Sequence, residues 1–189
     1  MLDSVLMFVM NELNGYLKSK SALTDDVVKL GPIVDDSGKY ALDKNSISLS
    51  LINVEQEAIT KQQLPKTTYS QGKMLTFAPE LRVNLYVIFA ARFDIYDQAL
   101  KYMSHIMNFF QTRPLFTPDT YPELDTTLSR ISLDLQSPNY DQLNQIWAFI
   151  GGKQLPSVYY KIRVVSLRDQ ESPNIGPPIL TVNNEIHSK

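Results

Sequence analysis

The 189-residue chain contains no cysteine. Disulfides, thiol nucleophiles and thiolate metal sites are thereby excluded, and the composition fits a reducing compartment. Histidine is scarce: His105 lies in mid-chain and His187 is third from the end. Neither is set up for a catalytic triad or a metal site, and both are expected to be ordinary surface residues. Charge of one sign is also lacking, because 18 Lys and Arg stand against 20 Asp and Glu for a net charge of -2. A bulk electrostatic drive toward nucleic acid or anionic lipid is therefore absent. No apolar run approaches the roughly 18 residues of a membrane span. Among only 7 glycines there is no GxGxxG, Walker or GxSxG pattern. Gly151-Gly152 follows a helical segment and so lacks the positive helix end that binds phosphate. Asp25-Asp26 and Asp35-Asp36 sit in turn-like sequence, in an order that does not match a calcium loop. No cofactor, no metal and no enzymatic activity are expected.

What is present is an ordinary globular composition, 43% hydrophobic and 20% charged, long enough for one domain with one core. The opening "MLDSVLMFVMNELNGYL" lacks the positive start of a signal peptide and reads as a folded helix over residues 3–18. Leu2, Leu6, Val9, Leu13 and Leu17 form one stripe, and Met7, Phe8 and Met10 widen it. That width points either to a neighbouring subunit or to burial deep in the chain's own core. A short strand broken at Gly31-Pro32 precedes a second one over residues 46–54. There Ile47, Leu49 and Leu51 alternate with Ser46, Ser48 and Ser50, the pattern of a half-buried strand with a small polar outer face.

Residues 56–78 are polar, with Lys61, Lys66 and Lys73 against Glu57, and suit a hairpin about Gly72. Lysines without arginine are a weak nucleic-acid signal, so a contact loop or a solvated loop is the better reading. In "PELRVNLYVIFAARFD", Leu81, Val83, Leu85, Val87 and Phe89 share one face, and Arg82, Asn84, Tyr86, Ile88 and Ala90 share the other. Both faces turn apolar toward the end, so this strand belongs in the middle of a sheet covered on both sides.

A helix over residues 96–111 follows, with Asp94 as the expected N-cap and Tyr96, Ala99, Leu100, Met103, Ile106, Met107 and Phe110 as its buried stripe. After a strand over 129–135, "SPNYDQLNQIWAFIGG" reads as a helix with Ser137 as cap and Gly151 as left-handed end. Leu143, Ile146, Trp147 and Ile150 form its core face. The last long strand covers 157–167, where Tyr159 and Tyr160 point to opposite faces. Residues 1–168 are read as one α+β domain and 169–189 as an extended arm that includes a short strand, Ile179, Leu180 and Val182.

Taken in order, "ISLSLINVEQE", "PELRVNLYVIFAARF", "YDQALKYMSHIMNFFQTRPLF" and "LNQIWAFIGGKQLPSVYYKIRVVSL" resemble the conserved N-terminal domain of the tail-cap, or tail-terminator, proteins of phage-tail-like contractile injection systems. The resemblance runs from the first helix to about Leu167 and rests on order and spacing, not on chemistry. It implies an α+β fold with a mixed sheet and helices packed against it. It further implies a homohexameric ring at the end of tube and sheath distal to the baseplate, assembled in the bacterial cytoplasm. Tube and sheath proteins are the implied partners, without membrane or nucleic acid. On the residues themselves, the surfaces expected to meet subunits, tube or sheath are Met7, Phe8 and Met10 on the first helix, Lys61, Lys66, Tyr69 and Lys73 on the polar loop, Tyr159, and Ile179, Leu180 and Val182 on the arm. Two rival readings remain at this point: a peptide-binding adaptor, and a ligand-binding or enzymatic domain using Arg82, Asn84 and Tyr86.

Overall fold

The computed structural model describes residues 2–21, 25–57, 66–70, 73–77, 82–125, 127–166 and 174–175. Among the described residues, three helices, α1 (Leu2–Ser21), α2 (Tyr96–Thr112) and α3 (Tyr140–Ile150), accompany nine strands. These are β1 (Val28–Leu30), β2 (Ser46–Gln56), β3 (Lys66–Ser70), β4 (Lys73–Phe77), β5 (Arg82–Arg92), β6 (Leu115–Phe116), β7 (Leu128–Gln136), β8 (Ser157–Ser166) and β9 (Asn174–Ile175). Six strands make the main sheet in the order β1-β2-β5-β8-β7-β6, and β3-β4-β9 make a small second one. Only the β1–β2 pair is parallel, so the sheet is mixed and the fold α+β, as expected. The hairpin expected about Gly72 is β3–β4, and Asn174–Ile175 pair with β4.

β5 lies inside the sheet between β2 and β8. Its Val83, Leu85, Val87 and Phe89 enter the large core beneath α1 and α2. Ile88 and Ala90 enter a smaller core with Ile33, Trp147 and Tyr159, which α3 closes from the other side. The large core is rich in rings. Phe89 meets Phe110 at 5.7 Å and Tyr160 at 5.9 Å, and Phe8 meets Phe116 edge-on at 5.5 Å, within the spacing at which aromatic pairs attract. One buried polar side chain is fully matched: the Asn14 amide donates to the Val28 carbonyl and accepts from the Val28 amide, both at 2.9 Å. It thus satisfies backbone groups of β1 that a further strand would otherwise have to meet.

Several local expectations change. Ser46 and Ser48 are buried, because the segment after β1 folds over that face of β2 and the Ser48 hydroxyl donates to the Gly31 carbonyl at 2.7 Å. Asp94 does not cap α2. Its carboxylate is held by Lys44 at 3.1 Å and by Asn45, and the cap position falls to Ile95, with no side-chain bond. The buried side of α2 is Ala99, Met103, Ile106, Phe109 and Phe110, so Tyr96, Leu100 and Met107 are exposed. α3 is capped by Asn139, not Ser137: its side chain accepts from the Gln142 amide at 2.9 Å, and Gln142 returns the bond at 3.0 Å. Gly151 ends α3 with φ 76°, the left-handed conformation that glycine adopts without strain. His105 is half-buried on α2, not fully exposed.

Phe89 sits where β5, α2 and β8 meet. Phe89→Ala is expected to cost about 3–5 kcal/mol in urea unfolding, whereas Leu51→Ala, on the exposed half of β2, should change stability by less than about 0.5 kcal/mol.

Candidate assembly surfaces

The main sheet ends unevenly at both sides. β1 covers β2 only from Ile47 to Leu49, and every residue of β2 from Leu51 to Gln56 is exposed. The register slips between Leu51 and Asn53, a bulge at Ile52. Leu51, Ile52 and Val54 are each about two-fifths exposed, at 41%, 39% and 41%. A strand with a free backbone edge and apolar side chains is a template for further pairing. At the opposite side, β6 pairs with β7 only at Ile131 and Ser132, and the Leu133 amide donates to the Pro114 carbonyl at 3.0 Å. Beyond it, Asp134 to Gln136 carry no neighbour on their outer edge among the described residues. Leu135 there is 51% exposed and borders a groove of about 750 Å³ lined by Tyr96, Leu100 and Met107 of α2 and by Pro138 and Leu143.

A second groove of about 480 Å³ runs between α3 and the open half of the sheet. Four amides, Asn53, Gln136, Gln142 and Gln145, share its polar lining with Glu55, Ser137, Tyr86, Tyr159 and Tyr160. Asn84 is buried and donates to Glu57 at 3.0 Å, while Tyr86 lies half-buried under Lys161, whose Nζ is 5.7 Å from the ring centre. Burial, and then a bond to Glu55, push the Tyr86 hydroxyl above its ordinary pKa. Arg163 Nε and Asp134 Oδ2 form an ion pair at 2.8 Å on the same face. Among the described residues there is no cluster of three His, Cys, Asp or Glu placed to hold a metal ion, and no helix long and apolar enough to cross a membrane.

Of the residues expected at interfaces, Met7 is exposed and Met10 is half-buried against the large core. Phe8 is not on the surface: it is buried against Phe116 and Tyr121, because the wide apolar face of α1 is filled by the 115–124 segment of its own chain. Tyr159 is likewise buried. Its hydroxyl accepts from Trp147 Nε1 at 2.9 Å, which ties α3 to β8. Lys66 and Tyr69 lie on β3 and Lys73 on β4. Lys61, Ile179, Leu180 and Val182 lie outside the described residues. Exposed apolar groups outside that expectation include Leu30, Ile52, Val54, Ile95, Leu115, Leu135, Tyr140 and Phe149. Tyr140 and Phe149, near the two ends of α3, are each 91% exposed.

The Pvc16 N-terminal domain matches residues 4–181 of the sequence. The chain belongs to this family. No curated protein matches it. Among solved structures, the fold is shared with the sheath/tube terminator of an extracellular contractile injection system, PVC, in its extended state. That likeness has a TM-score of 0.66 at 14% identity and covers 100% of this chain and 64% of the other. It is shared as well with the tube-terminating cap of the anti-feeding prophage, AFP, with a TM-score of 0.57 at 15% identity over 93% of this chain and 59% of that one. This Pvc16-type chain thus spans less than two thirds of the length of either. At such identity the likeness is one of fold, and the mixed sheet with its helices is the family's architecture.

The tyrosines at the centre of this fold give it a pH signature. Burial pushes the Tyr160 hydroxyl up to about 12, and burial raises Tyr159 too, against the bonds from Ser157 and Trp147. A phenol that stays neutral in the fold stabilises fully below its unfolded pKa of about 10, and that contribution is lost as pH climbs through the folded value. Stability should therefore fall as pH rises from about 10. Tyr160→Phe should flatten the fall in urea unfolding followed across that range.

Proposed function

We propose that this chain is a structural cap that ends the inner tube and sheath of a contractile, phage-tail-like injection particle. In this reading it sits as a homohexameric ring at the end distal to the baseplate and is added in the bacterial cytoplasm during assembly. The observation that carries it is family membership over residues 4–181, joined to a shared fold with two terminators that reaches 100% of the chain in one of them. The surface chemistry agrees: exposed apolar strands and a groove with four amides in its lining suit lasting contact between proteins. The mechanism is a difference between two ends. One end of the ring binds the last layer of tube and sheath, and the other offers no surface on which a further layer can build.

Removing the chain from an otherwise complete set of particle proteins tests this directly. Electron microscopy should then show tubes and sheaths of variable length with bare ends, and restoring the chain should return uniform, capped particles. Uniform capped particles in its absence would sink the proposal.

A further inference from the structure

We propose that copies of this chain join head to tail, the open outer edge of β2 in one copy pairing with the open outer edge of β7 in the next. The inference rests on the cap reading in one respect, that copies of the chain assemble with one another.

Among the described residues, two short strands leave part of each edge without a neighbour. β1 stops covering β2 at Leu49, and β6 stops covering β7 at Ser132. Direction fits as well. β2, β5, β8 and β7 are successively antiparallel, so β2 and β7 run in opposite senses. A second copy's β2 laid beside β7 therefore continues the antiparallel order of the sheet.

Faces fit next. Val54 pairs with Leu85, and Leu135 with Tyr160, and both partners point into the large core. Val54 and Leu135 thus share the α1/α2 face of the sheet. Because β6 and Pro114 occupy the β7 edge up to Leu133, the incoming strand meets Asp134 to Gln136. The register that keeps like faces together sets Val54 opposite Leu135 and Asn53 opposite Gln136. It buries an apolar pair on one face and matches two amides on the other.

One like-charge contact is compensated. In this register Glu55 faces Asp134, whose carboxylate is already paired with Arg163 Nε at 2.8 Å, and Lys161 lies directly across the β7–β8 ladder from Asp134. Two cations of β8 therefore stand beside the two carboxylates that meet at the joint. The joint links unlike surfaces, so each copy uses both edges once, and the chain of joints closes into a ring when the turn per copy allows.

The absence of cysteine makes a clean test. Val54→Cys and Leu135→Cys both alter exposed side chains. Directly opposed strand residues lie about 4.5–5.5 Å apart at Cα, within disulfide range. The two single variants are mixed, assembled into caps with tube and sheath subunits present, and oxidised. A covalent dimer should form in the mixture and in neither variant alone, and the double variant should give a ladder of linked copies. A third variant, Leu135→Arg, should abolish rings while leaving the melting temperature of the chain unchanged. Rings in electron micrographs without the 54–135 link, a dimer from Val54→Cys alone, or rings formed by Leu135→Arg would overturn this joint and leave the cap reading standing. No ring from any variant or from the natural chain would overturn both.

Discussion

β5 carries apolar side chains on both faces from Val87 to Ala91, and a strand of that kind is stable only where two layers cover it. The remaining architecture answers this demand. α1 and α2 cover one face with a core built from Phe89, Phe109, Phe110, Phe116 and Tyr160. α3 and the 33–40 segment cover the other with Ile33, Tyr40 and Trp147. The second cover is smaller and reaches only the Ile88 end. Toward Arg82 the strand's second face turns polar, with Asn84 buried against Glu57 and Tyr86 half-buried at the wall of the groove beside α3. The same strand thus sets both the stable centre and the limit of the covered surface.

Unequal strand lengths do the rest. β2 has 11 residues and β7 has 9, but their outer neighbours β1 and β6 have 3 and 2. Among the described residues, Leu51 to Glu55 of β2 and Asp134 to Gln136 of β7 therefore have no strand on their outer edge, and Leu51, Ile52, Val54 and Leu135 are exposed there. Full burial of one such side chain is worth about 1.5–3 kcal/mol, while association costs roughly 4–15 kcal/mol. A joint that buries two or three of them is weak by itself. In a closed ring every copy is held by two joints, and opening the ring breaks one without releasing a subunit. Cooperative closure of that kind would suit the proposed cap, because weak open contacts do not drive runaway polymerisation.

Much of the fold was legible in the sequence. The alternation of Val83 to Ala90, the helical spacing in α2 and α3, the Gly151 end and the hairpin all correspond to local rules of period and turn chemistry. The differences come where a distant segment competes. Asp94 was a sound cap in isolation, but the turn at Lys44 and Asn45 claims its carboxylate. The serines of β2 read as solvent-facing, but Gly31 supplies them with an acceptor inside. Phe8 read as surplus on a helix, but Phe116 and Tyr121, over a hundred residues away, make a socket for it.

Sequence by itself determined the elements, the apolar faces, the absence of thiol chemistry and, through the order of its motifs, the family. Those properties depend on neighbours a few residues apart or on composition, which a linear reading contains. Only the tertiary structure decided which apolar side chains are left over. Met7, Leu51, Val54 and Leu135 are no less apolar than Phe8, Leu49 and Leu133, and their sequence patterns are alike. What separates them is whether another segment happens to extend far enough to cover them. That is set by where β1 ends, where β6 begins and how α2 is rotated on the sheet, none of which is a local property of the residues concerned.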